Sequence, residues 1–293
     1  MRSEKEMLDL ILTTAQNDSR IRAVYMNGSR ANPNAPKDIF MDYDVVYVVT
    51  QTAPYIDDAH WIDRFGERLI MQEPDKLAQM QGLTADFSAC YTYLMQFTDG
   101  NRIDLHIQTL GFTLLSFGTD SLTLVLRDKD GCLPALPPSS DKDYWIEKPT
   151  FSRFHSRCNN FWWVAPYCAK GLWRNELLYV SDVINSVVRD ELLLMLSWYT
   201  GIESGFELSL GKSHKYLKNY LSAEIWSRLM ATYHLSDTDA GWNALICACE
   251  LFDDIAPQVG KAFEYDYDRE EANKSFAFIK HIRELPITAT EIY

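Results

Sequence analysis

The sequence predicts an α+β protein with a sheet domain followed by a helical domain, because its hydrophobic period changes part-way along the chain. In the first half, apolar residues come in short runs that alternate every second residue, as strands with one buried face do. In the second half they recur every three to four residues, as amphipathic helices do. Pro134, Pro137, Pro138, Ser139 and Ser140 stand between the two patterns and read as a linker. The length of 293 residues fits two domains. The expected division is residues 1–140, a mixed sheet with flanking helices, and 141–293, an all-α bundle.

In the first domain, Glu4 to Gln16 places Met7, Leu8, Ile11, Leu12 and Ala15 at helical spacing, and Asn17-Asp18-Ser19 ends that helix. A strand over Ile21 to Met26 follows, broken by Gly28, whose missing Cβ would let backbone amides approach a ligand, and then by the small hydroxyl of Ser29. Asp42-Tyr43-Asp44 opens a second, Val-rich strand running to Val49. A helix is expected at Ala59 to Phe65, a strand at Arg68 to Met71, and a loop or short helix from Pro74. Tyr91 to Phe97 and Arg102 to Ile107 read as two strands joined by a tight turn at Asp99-Gly100. Leu122 to Leu126 reads as a last strand.

Residues two apart in a strand project from one face, so Asp42 and Asp44 converge. Two carboxylates held that close repel each other unless a divalent cation or a shared proton neutralises them, and hard oxygen donors suit magnesium. An Asp-x-Asp pair alone is common at solvated strand starts. Its weight here comes from the preceding Gly28-Ser29 and from Asp104, which the alternation of Ile103, Leu105 and Ile107 puts on the polar face with His106.

In the second domain, Phe154, Cys158, Phe161, Trp162, Ala165 and Ala169 form one stripe, interrupted by Pro166. Further helices are expected at Glu176 to Val188, Asp190 to Tyr199, Tyr216 to Tyr220, Ala223 to Tyr233 and Asp239 to Phe263. The Phe161-Trp162-Trp163 cluster reads as helix packing. The acidic, aromatic tail beyond Glu264 reads as peripheral surface. Lys170, before Gly171, and Lys212, after Gly211, stand out as cations that could meet phosphates, although a lone lysine is more often simply solvated.

Composition excludes several classes. The chain has 28 Lys and Arg against 41 Asp and Glu, a formal charge of −13, which argues against nucleic acid and favours a cationic partner. No run of about eighteen apolar residues occurs, and the N-terminus has no signal-peptide core, so a cytoplasmic chain without a membrane partner is expected. A monomer is expected. The six cysteines form no C-x-x-C pair and are read as reduced thiols.

A glycine-serine closing one strand, a loop with Pro33 and Pro36, and Asp-x-Asp opening the next resembles the nucleotidyltransferase superfamily. More closely, Met1 to Met7, Gly28-Ser29-Arg30-Ala31-Asn32, Asp42-Tyr43-Asp44, Ile103-Asp104-Leu105, Asn160-Phe161-Trp162 and Lys170-Gly171-Leu172 resemble the aminoglycoside 6-adenylyltransferases over nearly the whole chain. That resemblance implies a nucleotidyltransferase fold followed by a helical bundle, and transfer of AMP from Mg-ATP to a hydroxyl of an aminoglycoside such as streptomycin. It implies two magnesium ions on Asp42, Asp44 and Asp104, with Asp104 a ligand, a general base or both. Gly28, Ser29, Arg30, Lys170 and Lys212 would hold the nucleotide. Glu176 and Asp182 are the candidate carboxylates for a small cationic antibiotic. A transferase for a lincosamide-type antibiotic, a protein-modifying AMP transferase of the antitoxin type and a non-catalytic binding module are the competing readings.

Overall fold

The computed structural model describes residues 1–293 and divides into two compact units, Met1–Asp143 and Tyr144–Tyr293. The first opens with helix α1 (Glu4–Asn17), started by a capping box in which Ser3 and Glu6 satisfy each other's backbone amides. Strand β1 (Ile21–Asn27) runs into a single 3-10 turn at Gly28–Ala31, and β2 (Tyr43–Val49) returns antiparallel to it. A short helix α2 (Ala53–Ile56) comes next, and a 3-10 turn at Trp61–Phe65 stands where a helix at Ala59 to Phe65 was expected. Trp61, Ile62 and Phe65 are all buried. Strand β3 (Arg68–Gln72), helix α3 (Pro74–Met80), the hairpin β4 (Cys90–Phe97) and β5 (Arg102–Thr109), the turn α4 (Leu110–Thr113) and strand β6 (Leu124–Asp128) complete the unit. The last strand begins two residues later than the apolar run predicts.

The six strands form one mixed sheet in the order β3-β4-β5-β2-β1-β6, and only the central β2–β5 pair is parallel. One face carries Tyr43, Val45, Tyr47, Tyr91, Tyr93, Ile103, Leu105 and Ile107, packed with Met7 and Ile11 of α1 in the main core. The opposite face is only partly covered: Ala23, Tyr25, Val46 and Val48 pack with Leu110, Phe117 and Leu133. Pattern and pleat therefore agree, and the polar residues Asp44 and Asp104 fall on this second face. The proline-rich stretch is fastened to the sheet unit: Ser139 Oγ donates to the carbonyl of Ala31 at 2.5 Å, and Asn34 Nδ2 donates to Asp141 at 3.0 Å.

The second unit is helical. Helix α5 (Phe151–Trp173) runs unbroken through Pro166, where a break was expected. The stripe around Pro166 is too well packed for the ring to end the helix: Phe161 stacks on Phe252 at 3.8 Å, and Ala165 and Ala169 are fully buried. Within the aromatic cluster Phe161 and Trp162 are core residues, but Trp163 is 65% exposed. Helix α6 (Leu177–Val183) passes through a π turn at Ile184–Val188 directly into α7 (Arg189–Ser204), so the expected gap between two helices is a wide turn instead. Tyr216 to Tyr220 holds only a 3-10 turn, followed by α8 (Ala223–Ala231) and α9 (Thr238–Phe263). The tail beyond Glu264 is not peripheral. It forms α10 (Arg269–Glu284), capped by Asp268, with Ala272, Ile279 and Ile282 buried in the core and Trp162 Nε1 bonded to Tyr267 at 2.9 Å. Two of the acidic residues that suggested a surface, Glu270 and Glu271, sit in its first turn, where they complement the helix dipole. No helix is long and apolar enough to cross a membrane.

Candidate active site

Three carboxylates meet at the heads of the two central strands. Asp44, second residue of β2, lies in register with Asp104, third residue of β5, and with Asn27, the last residue of β1. Asp42 immediately precedes β2, two residues before Asp44 and on its side. Because β2 and β5 are parallel, their polar starts lie at one end of the sheet, and the partly covered face leaves them half-buried rather than sealed.

Gly28 fixes how closely the turn after β1 approaches this end. Its φ is +73°, and a Cβ there would lie 2.2 Å from Asp44 Oδ2 and 3.1 Å from Asp44 Cγ. The glycine is required by the carboxylate beside it, a tighter reason than the ligand approach expected from sequence. Ser29 follows in the turn, half-buried, with its carbonyl accepting from the amide of Asn32 at 3.1 Å.

Arg30, expected at the nucleotide, is anchored at the entry to β2. Its guanidinium donates to the carbonyls of Met41 and Asp42 at 2.8 and 3.0 Å, lies 3.8 Å from the Tyr43 ring centroid and approaches Glu4 at 3.5 Å. With only 9% of its side chain exposed, it clamps the chain entering β2 and so positions Asp42.

Sequence reasoning missed Arg102. It shares the polar face of β5 with Asp104 and grips it with two parallel hydrogen bonds, Nε to Oδ1 and Nη2 to Oδ2, both 2.8 Å, while Nε stands 3.7 Å from Asp42 Oδ2. Its signal was present as a cation two residues before an acid in an alternating strand. The electrostatics follow from the crowding. Burial, then Asp104 and Asp42, push the Asp44 carboxyl from 3.8 up to about 6. Burial also raises Asp42, opposed by Arg102. The carboxylates do not close into a three-ligand cage. Nevertheless the donor set is all hard oxygen, and three carboxylates share the one guanidinium of Arg102, so the residues fit a divalent cation.

The remaining sequence candidates belong to the helical unit. Lys170 lies in the last turn of α5, its Nζ 5.9 Å from the Tyr167 ring and 5.7 Å from Phe278, beside a groove lined also by Trp163 and Lys274. Lys212 is exposed and follows Gly211 at φ +70°. The next residues, Ser213 and His214, both hold positive φ (55° and 60°). Two successive non-glycine residues in this region store strain of the kind concentrated at functional loops. Glu176 and Asp182 are both exposed, and Glu176 lies 3.9 Å from Arg174.

A mixed sheet that presents a glycine-serine turn against paired aspartates at the heads of two parallel strands defines a nucleotidyltransferase. The family model described as streptomycin adenylyltransferase matches residues 1–282, and the chain belongs to that family. It is 41% identical over 267 residues to an aminoglycoside 6-adenylyltransferase of Campylobacter jejuni, covering 91% of both chains. It is 38% identical over 268 residues to that of Bacillus subtilis, covering 91% of this chain and 93% of the relative. A crystal structure of an aminoglycoside 6-adenyltransferase from Bacillus subtilis aligns over 97% of this chain and all of that one, with 32% identity and a TM-score of 0.48.

Proposed function

We propose that this enzyme transfers AMP from Mg-ATP to a hydroxyl of an aminoglycoside, streptomycin being the acceptor that best fits, and releases pyrophosphate. The observation that carries the reading is the register of Asp44 with Asp104 against Gly28, in a chain whose relatives of 35–41% identity are all named aminoglycoside 6-adenylyltransferases.

Asp42, Asp44 and Asp104 would hold the divalent cations. When bound, these ions neutralise the triphosphate and stabilise the charge that develops on the attacking and leaving oxygens. The protein's own part is positioning and proton handling. Gly28 lets the turn lie against Asp44, and Arg30 holds the backbone from which Asp42 projects. Ser29 supplies a hydroxyl to the phosphates. Asp104 is assigned as a ligand of the ion, as the base that takes the acceptor's proton when its oxygen attacks the α-phosphorus, or as both. Lys170 and Lys212 are assigned to the distal phosphates, and the strained Ser213-His214 backbone beside Lys212 supports its having a ligand. Combining Ser29→Ala with Lys212→Ala or with Lys170→Ala should weaken Mg-ATP binding by about 100-fold or more, since each hydrogen bond to a charged group contributes roughly 1.5–3 kcal/mol. Calorimetric titration measures it, and unchanged affinity would return that lysine to the solvent.

The acceptor is assigned as a cation because the chain carries a net charge of −13. Glu176 and Asp182 are the proposed contacts. The test is pyrophosphate release with streptomycin, other aminoglycosides and a lincosamide, at saturating ATP with the acceptor limiting. Streptomycin should be turned over best, and kcat/KM should fall as salt rises from about 10 to 150 mM, over which the Debye length shrinks from roughly 30 to 8 Å. A flat salt response, or equal turnover of a neutral acceptor, would overturn the cationic-acceptor reading.

A further inference from the structure

Arg102 is the one cation held at the carboxylates by hydrogen bonds to a side chain, and nothing in the transfer reaction described above uses it. Its two 2.8 Å bonds occupy both oxygens of Asp104, and the same Nε lies 3.7 Å from Asp42 Oδ2. It thus neutralises two of the three groups assigned to the metal. Its side chain is 40% exposed, against 14% for Asp104, so it lies over the carboxylate from the solvent side and can swing away without disturbing the core. Asp44, by contrast, receives no hydrogen bond from Arg102, and its carboxyl is the one left crowded.

We infer that Arg102 is a displaceable counter-cation, which holds Asp104 and Asp42 in place before the divalent ion arrives and must release Asp104 for that ion to bind. The inference rests on the metal reading given above. The guanidinium fork takes one lone pair on each Asp104 oxygen and balances its charge, so a cation approaching that carboxylate meets both a weaker ligand and a positive neighbour, and arginine and ion compete. The consequence is a weak affinity for the free ion.

Titration of the full-length protein with Mn2+ alone, followed by water-proton relaxation or calorimetry, tests this. Arg102→Ala should bind Mn2+ about tenfold more tightly than wild type, a factor that corresponds to about 1.4 kcal/mol. Arg102→Lys keeps the charge but loses the planar fork, and should tighten binding by a smaller factor, about threefold. If the alanine variant does not fold, Arg102→Gln takes its place with the same expectation. Equal or weaker Mn2+ binding by the neutral variant, including no binding by either protein, overturns the inference. So does Arg102→Lys matching wild type, because long-range charge and not the fork would then be responsible. Asp44→Asn serves as the separate control: if it binds Mn2+ as well as wild type does, the metal reading itself fails.

Discussion

Asp44→Asn is expected to lower transfer by about a thousandfold or more while making the metal-free protein more stable. Removing a ligand of the charge-stabilising ion costs several kcal/mol of transition-state stabilisation, at about 1.4 kcal/mol per decade of rate. The gain in stability comes from the same carboxylate. Its folded pKa is raised from 3.8 to about 6 by burial and by Asp104 and Asp42. Between those two values the folded state holds more proton than the unfolded chain, so stability falls as pH rises through this window. Above about pH 6 the penalty is complete, at most about 3 kcal/mol from the shift and less after solvent screening. The asparagine variant lacks it, and its apo Tm at pH 7.5 should rise by about 3 °C or more. For the same reason, added Mg2+ should stabilise wild type more at pH 7.5 than at pH 5. Pyrophosphate release and thermal unfolding read both halves; near wild-type turnover would remove Asp44 from the metal site, and an apo Tm unchanged or lowered would remove the repulsion. Asp42→Asn should act in the same direction.

Gly28→Ala should be nearly as damaging, although it removes no functional group. Its Cβ would lie 2.2 Å from Asp44 Oδ2, inside any allowed contact, and the residue would have to keep a φ of +73° that alanine disfavours by roughly 1 kcal/mol or more. Either the turn or the carboxylate must move, and a displacement of about 1 Å at a reacting site costs on the order of a hundredfold. We expect kcat to fall by about that factor, with a loss of stability of only about 1–2 kcal/mol, whereas Ser29→Ala next to it should lower nucleotide affinity and leave the position of Asp44 unchanged. Steady-state kinetics beside a thermal melt separates the two, and Gly28→Ala activity within about twofold of wild type would show that the turn gives way freely.

What the sequence revealed, and what it withheld, divides along the range of the interactions. Strand alternation placed Asp42 and Asp44 on one side and Asp104 on the polar face of its strand, because side-chain direction in a strand is a local property. The β4–β5 hairpin was legible from Asp99-Gly100 for the same reason. The parallel pairing that sets Asp44 beside Asp104 is not local, and no residue of β2 names β5 as its neighbour. The role of Gly28 was hidden likewise, since its constraint is a carboxylate on another strand. Arg30 was placed at the nucleotide by motif, and its hold on the carbonyls of Met41 and Asp42 was not legible, because both acceptors lie across a loop. In the helical unit the stripe through Phe161 and Ala165 was readable, whereas the unbroken passage from α6 to α7 depends on a π turn that leaves no strong residue signature. The helix at Arg269–Glu284 was obscured by judging its acids as surface before counting the spacing of Ala272, Ile279 and Ile282.

The central position of the parallel pair also bears on how the molecule assembles. The β4–β5 hairpin closes a short loop, and β1–β2 a modest one, whereas joining β2 to β5 must wait until the whole stretch through β3, α3 and β4 has been gathered in. The ligand pair at the heads of these strands therefore cannot exist in any early, locally folded species. A nascent chain released only as far as β4 can pair β2 with β1 but has neither β5 nor Asp104, so the three carboxylates come together only with the closing of the sheet.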